Sequence, residues 1–276
     1  FDLTKQGSAT LTLNGLGSYS GTTTVGAGSL TLGGTLSGVT VDVLGGAFLN
    51  VVGSGSLNAQ TTLGNIGTVN FSTGAQTLET LNGTGLLNLN NTELTLNSGS
   101  YTGVIAGGGS LVKSGAGVLE LGGTNSFGGG VRLSGGVVLV GNDAAFGVGT
   151  VTISGGTVSS NGATARVIGN TLSLSGGITL GDALNNGTLT LNGAAALTQA
   201  TVLTVASEVV SNGAISGAFD LTKQGSATLT LNGLGSYSGT TTVGAGSLTL
   251  GGTLSGVTVD VLGGAFLNVV GSGSLN

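Results

Sequence analysis

The sequence predicts an all-β fold, a parallel β-helix in which the chain winds into a three-sided solenoid of stacked turns. Three observations carry that expectation. Apolar residues alternate with polar ones along short runs, glycine and asparagine punctuate those runs while proline is absent, and the chain repeats itself at distances that divide into equal turns.

The alternation has a period of two. Leu11/Leu13, Leu30/Leu32, Val39/Val41/Val43, Leu87/Leu89, Leu94/Leu96, Val151/Ile153, Leu172/Leu174 and Leu189/Leu191 are separated by Thr, Ser, Asn or Asp. A strand with that pattern turns one side inward and the other outward. The weakest strand signal is Ala194 to Val210, because its alanines also suit a short helix. Between the runs lie Asn14-Gly15, Gly33-Gly34, Gly45-Gly46 and Gly135-Gly136, residue types that tolerate the backbone of tight turns. Glycine supplies 59 of the 276 residues and proline none. A proline would delete a ladder donor at almost any position of such a fold.

Repetition occurs at two levels. Residues 1–58 recur unchanged as 219–276, an offset of 218. Within that unit, Leu3 to Gly33 aligns without gaps to Leu111 to Gly141, and the next copy begins at Leu221. Lys5 aligns with Lys113, Gly7 with Gly115, Leu11 and Leu13 with Leu119 and Leu121, and Tyr19 with Phe127. Offsets of 108 and 110 each divide into five turns of about 22 residues, inside the range of solenoid repeats. On that pitch the chain is one continuous β-solenoid over residues 1–276, of about 13 turns, with repeat unit 1–218 and the next unit beginning at 219. Stacked turns bring equivalent side chains about 4.8 Å apart, so a like charge in every turn would repel its copies. Only 15 residues are charged, 10 acidic and 5 basic.

Composition excludes whole classes of chemistry. There is no Cys and no His, so the usual zinc, haem, iron–sulfur and blue-copper ligands are missing, as are the His-dependent nucleophilic triads. Five basic residues cannot neutralise a nucleic-acid backbone. A mean hydropathy of +0.49 reflects scarce charge: no 18-residue stretch is apolar without Gly or polar interruption, so a membrane-embedded chain is not expected. No basic and apolar leader stands at the start, which says little about secretion in a chain that opens inside a repeat.

The segment Gly213 to Leu250, with Ile215, Ser216, Leu221, Lys223, Gly225, Leu229, Leu231, Tyr237, Gly239 and Leu248, resembles the autotransporter-associated β-strand repeat. That repeat occurs in passenger regions of large bacterial type V-secreted proteins. Leu3 to Leu32 repeats the match identically, and Leu111 to Gly141 diverges from it, with Phe127 for the Tyr and Gly130-Val131 for the Thr pair. The resemblance covers roughly a third of the chain. It implies a right-handed β-helix, display on the bacterial surface or secretion, and a role as stalk, adhesin or fibre.

Candidate chemistry is sparse. Catalysis on a β-helix needs carboxylates within mutual reach on adjacent turns, yet the pairs Asp182/Glu208 and Glu93/Glu120 are spaced 26 and 27, more than one turn. Solvated, scattered carboxylates are the expectation, with no catalytic residue, no metal site and no cofactor. Glycine-rich calcium nonapeptides need Asp in a register that none of the six Asp residues occupies. Thr10/Thr12, Thr22/Thr24 and Thr188/Thr190 read as outward strand residues, with a flat ice- or glycan-binding face as the alternative. Lys5, Lys113 and Lys223, near Asp2 and Asp220 in two copies, read as charge pairs at turn corners. Tyr19, Tyr101 and Tyr237 precede Ser-Gly or Thr-Gly and read as packing over a turn. The function expected is a non-catalytic structural segment of a long extracellular or cell-surface fibre. Its partners are neighbouring repeat units of the same chain or identical subunits stacked end to end; the alternative is a β-helix surface binding glycan, ice or a host protein.

Overall fold

The computed structural model describes residues 1–255 and 258–276. Among the described residues it contains 34 short strands and no helix. The chain divides into two units, Phe1–Val131 with Ala144–Gly149, and Arg132–Asp143 with Thr150–Asn276. Each is a parallel β-solenoid, and the chain makes about 14 turns of about 20 residues, a slightly tighter winding than the about 22 expected.

In the first unit, strand Thr22–Val25 pairs in parallel with Thr40–Val43, which pairs with Thr62–Asn65, which pairs with Thr80–Gly83 of the longer strand Ala75–Gly83. Alternation decides which side chains stack inward. One inward column reads Leu3, Thr23, Val41, Leu63, Leu81, Gly99, Leu119. A second sheet of this unit carries Leu11, Leu30, Leu49, Val69, Leu87 and Ile105 in one column. From Leu30 to Ile105 that column is completely buried. Each apolar residue thus packs against its counterparts one turn before and after, and burial of a Leu or Val is worth about 1.5–3 kcal/mol.

The second unit repeats the arrangement. Leu189, Val209, Leu229, Leu248 and Leu267 form one inward column, and Thr201, Leu221, Thr241 and Val259 lie along another. The alanine-containing segment is a strand, Ala195–Val205. Its neighbours decide this: Ala195 and Leu197 face inward and pair with Leu172 and Leu174 of the preceding turn, so ladder bonding overrides the helical preference of alanine.

Candidate functional site

The three lysines are inward-facing. Lys5, Lys113 and Lys223 are 7%, 1% and 0% exposed. Lys223 stands in the column of Leu203, Val243 and Val261, with its aliphatic stem taking the place of an apolar side chain. Its ammonium donates to the carbonyls of Gln224 at 3.2 Å, Gly225 at 2.6 Å and Ala245 at 2.9 Å. Lys5 makes the same three bonds, to Gln6, Gly7 and Ala27 at 2.9, 2.8 and 3.0 Å. Lys113 donates to the carbonyl of Gly115. An ammonium has three donors, so each of Lys5 and Lys223 is saturated by backbone, and the third bond reaches the following turn. The corner is formed by Gly7 and Gly225, whose φ of 74° and 82° lies in the left-handed region. Desolvation on burial holds Lys113 and Lys223 below the ordinary lysine pKa.

The expected charge pairs with Asp2 and Asp220 therefore do not form this corner. Strand alternation explains the difference: Leu3 and Lys5 point inward, so Asp2 lies on the opposite face. Asp2 Oδ1 accepts from the backbone N–H of Thr22 at 2.8 Å, and Asp220 Oδ1 from that of Thr240 at 2.7 Å. Each aspartate thus ties its own turn to the next from outside.

Two of the three tyrosines are fully inward-facing. Tyr101 and Tyr237 are fully buried and Tyr19 is half-buried. Tyr101 Oη donates to the Gly85 carbonyl at 2.8 Å and accepts from Asn65 Nδ2 at 2.8 Å. Tyr237 Oη shares a hydrogen bond of 2.6 Å with Thr241 Oγ1, and Tyr19 one of 2.9 Å with Thr23 Oγ1. Burial pushes the Tyr101 and Tyr237 hydroxyls above the ordinary tyrosine pKa, against the smaller opposing effect of those side-chain bonds.

The carboxylates act locally. Glu120 Oε2 accepts from Ser100 Oγ at 2.8 Å and Glu208 Oε2 from Thr188 Oγ1 at 3.3 Å. Burial pushes the Asp182 carboxyl up, but bonds from the backbone and side chain of Asn185 and the backbone of Leu184 outweigh it and hold the group below its usual range. Among the described residues no cluster of three or more Asp, Glu, His or Cys could hold a metal ion.

Three outward columns went unnoticed in the sequence, two of asparagine and one of threonine. In the first unit, Asn70 Nδ2 donates to Asn50 Oδ1 at 2.7 Å and Asn88 Nδ2 to Asn70 Oδ1 at 2.6 Å. In the second, Asn212 donates to Asn192 at 2.8 Å and Asn232 to Asn212 at 2.9 Å. Asparagines recurring about one turn apart were the available signal. The other column reads Thr22, Thr40, Thr62, Thr80, Ser98 over successive turns of the first unit. Beside it, two residues further along each strand, stand Thr24, Asp42, Gly64, Asn82 and Ser100. A second threonine column is thus broken after one turn, and Thr80 Oγ1 is already bonded to Ser98 Oγ at 3.0 Å.

The two identical 58-residue segments meet different surroundings. Leu221, Leu229, Leu231 and Tyr237 are 1%, 1%, 3% and 0% exposed, covered by the preceding turn through Thr201–Thr204, Val209–Ser211 and Ile215. Their counterparts Leu3, Leu11, Leu13 and Tyr19 are half-exposed. At the other end, Val43 and Val51 are 0% exposed while the equivalent Val261 and Val269 are 42% and 48% exposed. Burial of these side chains is therefore supplied by the neighbouring turn, not by the segment alone.

These features define a repetitive parallel β-solenoid whose turns are joined by ladders, capped lysines and asparagine columns. Three stretches, residues 3–32, 111–140 and 221–250, match the passenger-associated-transport-repeat, the repeat type that the sequence resembles. The chain is also a distant homologue of a protein named Adhesin BmaC autotransporter of Brucella suis biovar 1 (strain 1330). The two are 31% identical over 281 residues, and the match covers 95% of this chain and 8% of that protein. No solved structure matches the chain.

Proposed function

We propose that this chain is a non-catalytic structural stretch of the passenger region of a bacterial autotransporter adhesin, lying at the cell surface or outside the cell and holding more distal parts away from it. One observation carries the reading: residues 219–254 stack on the preceding turn in the register of the ladder itself, so one repeat unit continues into a copy of itself. Stability in such an array is a sum of turn and turn–turn terms, which suits a segment whose length rather than chemistry is used. The passenger-type repeats and the name of the Brucella relative support the location. Partners of the whole protein belong to this proposal too: neighbouring units of the same chain, and a surface glycan or host protein met elsewhere along it. The test is antibody labelling of intact cells that produce the full protein, with antibody raised against residues 59–218. Labelling of intact cells is expected; labelling only after permeabilisation would overturn the reading.

A second reading, a glycan-binding face, rests on the column Thr22, Thr40, Thr62, Thr80, Ser98. Retention on immobilised polysaccharide that is lost in Thr40→Glu/Thr62→Glu would favour it; indifference to that change would remove it.

A further inference from the structure

Sheet pairing in the second unit places one charged side chain where its counterparts are apolar. Arg166 heads the column Arg166, Leu189, Val209, Leu229, whose other members are 0%, 0% and 1% exposed. Its guanidinium keeps its charge in any folded protein, and its Nε is buried with no hydrogen-bond partner. Its Nη2 donates to Asn161 Oδ1 at 3.0 Å. Two carboxylates of the same unit are engaged with other donors. Asp143 Oδ1 accepts the Val167 N–H at 3.0 Å, and Asp182 accepts from Leu184 and Asn185. Nε and Nη2 form the side-on fork that matches a carboxylate, yet here one prong holds an amide and the other holds nothing. The residue after Asn161 is Gly162.

We propose that Asn161-Gly162 is a self-modification site, where the chain converts Asn161 to an aspartate that Arg166 receives as its counter-ion. The backbone nitrogen of Gly162 attacks Asn161 Cγ. A C–N bond forms and closes a cyclic imide, the Cγ–Nδ2 bond breaks, and ammonia leaves with the proton of the attacking nitrogen. Water then adds at Cγ and the ring nitrogen departs, which restores the peptide N–H and leaves a carboxylate at position 161. The surroundings favour both steps. Nη2 sits on the oxygen where negative charge develops. Gly162 has a φ of 103°, and a Cβ there would meet nothing within 4 Å, so ring and water have room. Its carbonyl is held by Ser160 Oγ at 2.7 Å and by the Gly187 N–H at 2.9 Å, whereas its own N–H has no partner among the described residues. At other Asn-Gly pairs that nitrogen is engaged: the Gly187 N–H by Gly162, and the Gly213 N–H by the Leu191 carbonyl at 3.3 Å. Because the guanidinium polarises Cγ and not the backbone carbonyl, water opens the ring to the normal aspartate and not to the β-linked isomer. The change happens once per chain, so it stands apart from the structural role proposed above.

The test incubates the folded full chain in neutral to mildly alkaline buffer and follows each Asn-Gly pair by peptide mass mapping, with an assay for β-linked aspartate. Asn161 is expected to convert about tenfold or more faster than Asn212, whose side chain is bonded to Asn192 and Asn232, and to give the normal linkage. Arg166→Met keeps an apolar stem in the column and removes the fork. It is expected to slow conversion at 161 by about tenfold or more, where one donor at a developing oxyanion is worth ~10²–10³ in rate, and to leave Asn212 unchanged. Hydrogen exchange at Thr157–Ser160 and Arg166–Ile168 reports whether the variant keeps its fold. A second arm does not depend on that variant alone: Asn161→Asp is expected to raise the unfolding midpoint, and Asn161→Asp/Arg166→Met to lose the gain. The proposal is overturned if Asn161 converts no faster than Asn212, or if the product is mainly β-linked. It is equally overturned if Arg166→Met leaves the rate at 161 unchanged with exchange protection intact, or if Asn161→Asp lowers the midpoint.

Discussion

Leu57 and Gln76 lie one turn apart: Gln76 Oε1 accepts the Leu57 backbone N–H at 3.2 Å, and Leu57 beneath it is 5% exposed. Leu234, on an outer corner, is 50% exposed. The account therefore predicts unequal costs for one substitution made in two places. Leu57→Ala should destabilise by about 2–5 kcal/mol, and Leu234→Ala by less than about 1 kcal/mol, measured by denaturant unfolding. Equal costs would contradict turn-on-turn packing as the source of burial.

Lys223→Met keeps the stem and removes the ammonium that serves Gln224, Gly225 and Ala245. Leaving buried acceptors short of a donor costs about 1–3 kcal/mol. A loss of that size, with hydrogen exchange quickening at the 223–225 corner, is the expected outcome of a denaturant titration.

Alkaline pH acts on two groups in opposite senses. The buried tyrosines Tyr101 and Tyr237 have folded-state pKa values above the ordinary 10.0, so the stability they contribute is complete below pH 10 and is lost as pH rises toward the folded values. Lys113 and Lys223 are held below the ordinary 10.5; the unfolded chain then keeps protons that the folded one has released, and stability rises as pH approaches 10.5. In Tyr101→Phe/Tyr237→Phe the tyrosine loss disappears, and the unfolding midpoint should climb from pH 8 to 10.5. A midpoint that still falls over that range would contradict the buried environment assigned to the lysines.

Asn70 sits between Asn50 and Asn88 and bonds to both. Asn70→Ala breaks the column at two points and should cost about 1–2 kcal/mol at roughly 1 kcal/mol per bond. Thr31→Ala, in the same outward column one turn before Asn50, should cost far less.

Much of this was legible in the sequence. Period-two runs such as Leu30/Leu32 and Leu189/Leu191 became inward columns because alternation is a property of any strand with one covered face. The pitch was legible only as an average. Neighbouring turns are offset by 17 residues at Glu93 and Ser110 and by 25 at Gly176 and Thr201, because corner length is set locally by glycine turns and one register shift. The lysines were misread for a chemical reason: charge argues for the surface, whereas Lys5 and Lys223 have backbone carbonyls enough to satisfy the ammonium inside. The asparagine columns were hidden because a bond between residues about 20 apart shows itself only once the register is fixed.

The stacking itself is tested most directly by nuclear Overhauser contacts between backbone protons of the full chain. The account predicts contacts from Thr22–Val25 to Thr40–Val43 and from there to Thr62–Asn65, in parallel order and about one turn apart along the sequence. Contacts in antiparallel order between consecutive strands, such as Thr22–Val25 with Ser29–Leu32, would contradict it.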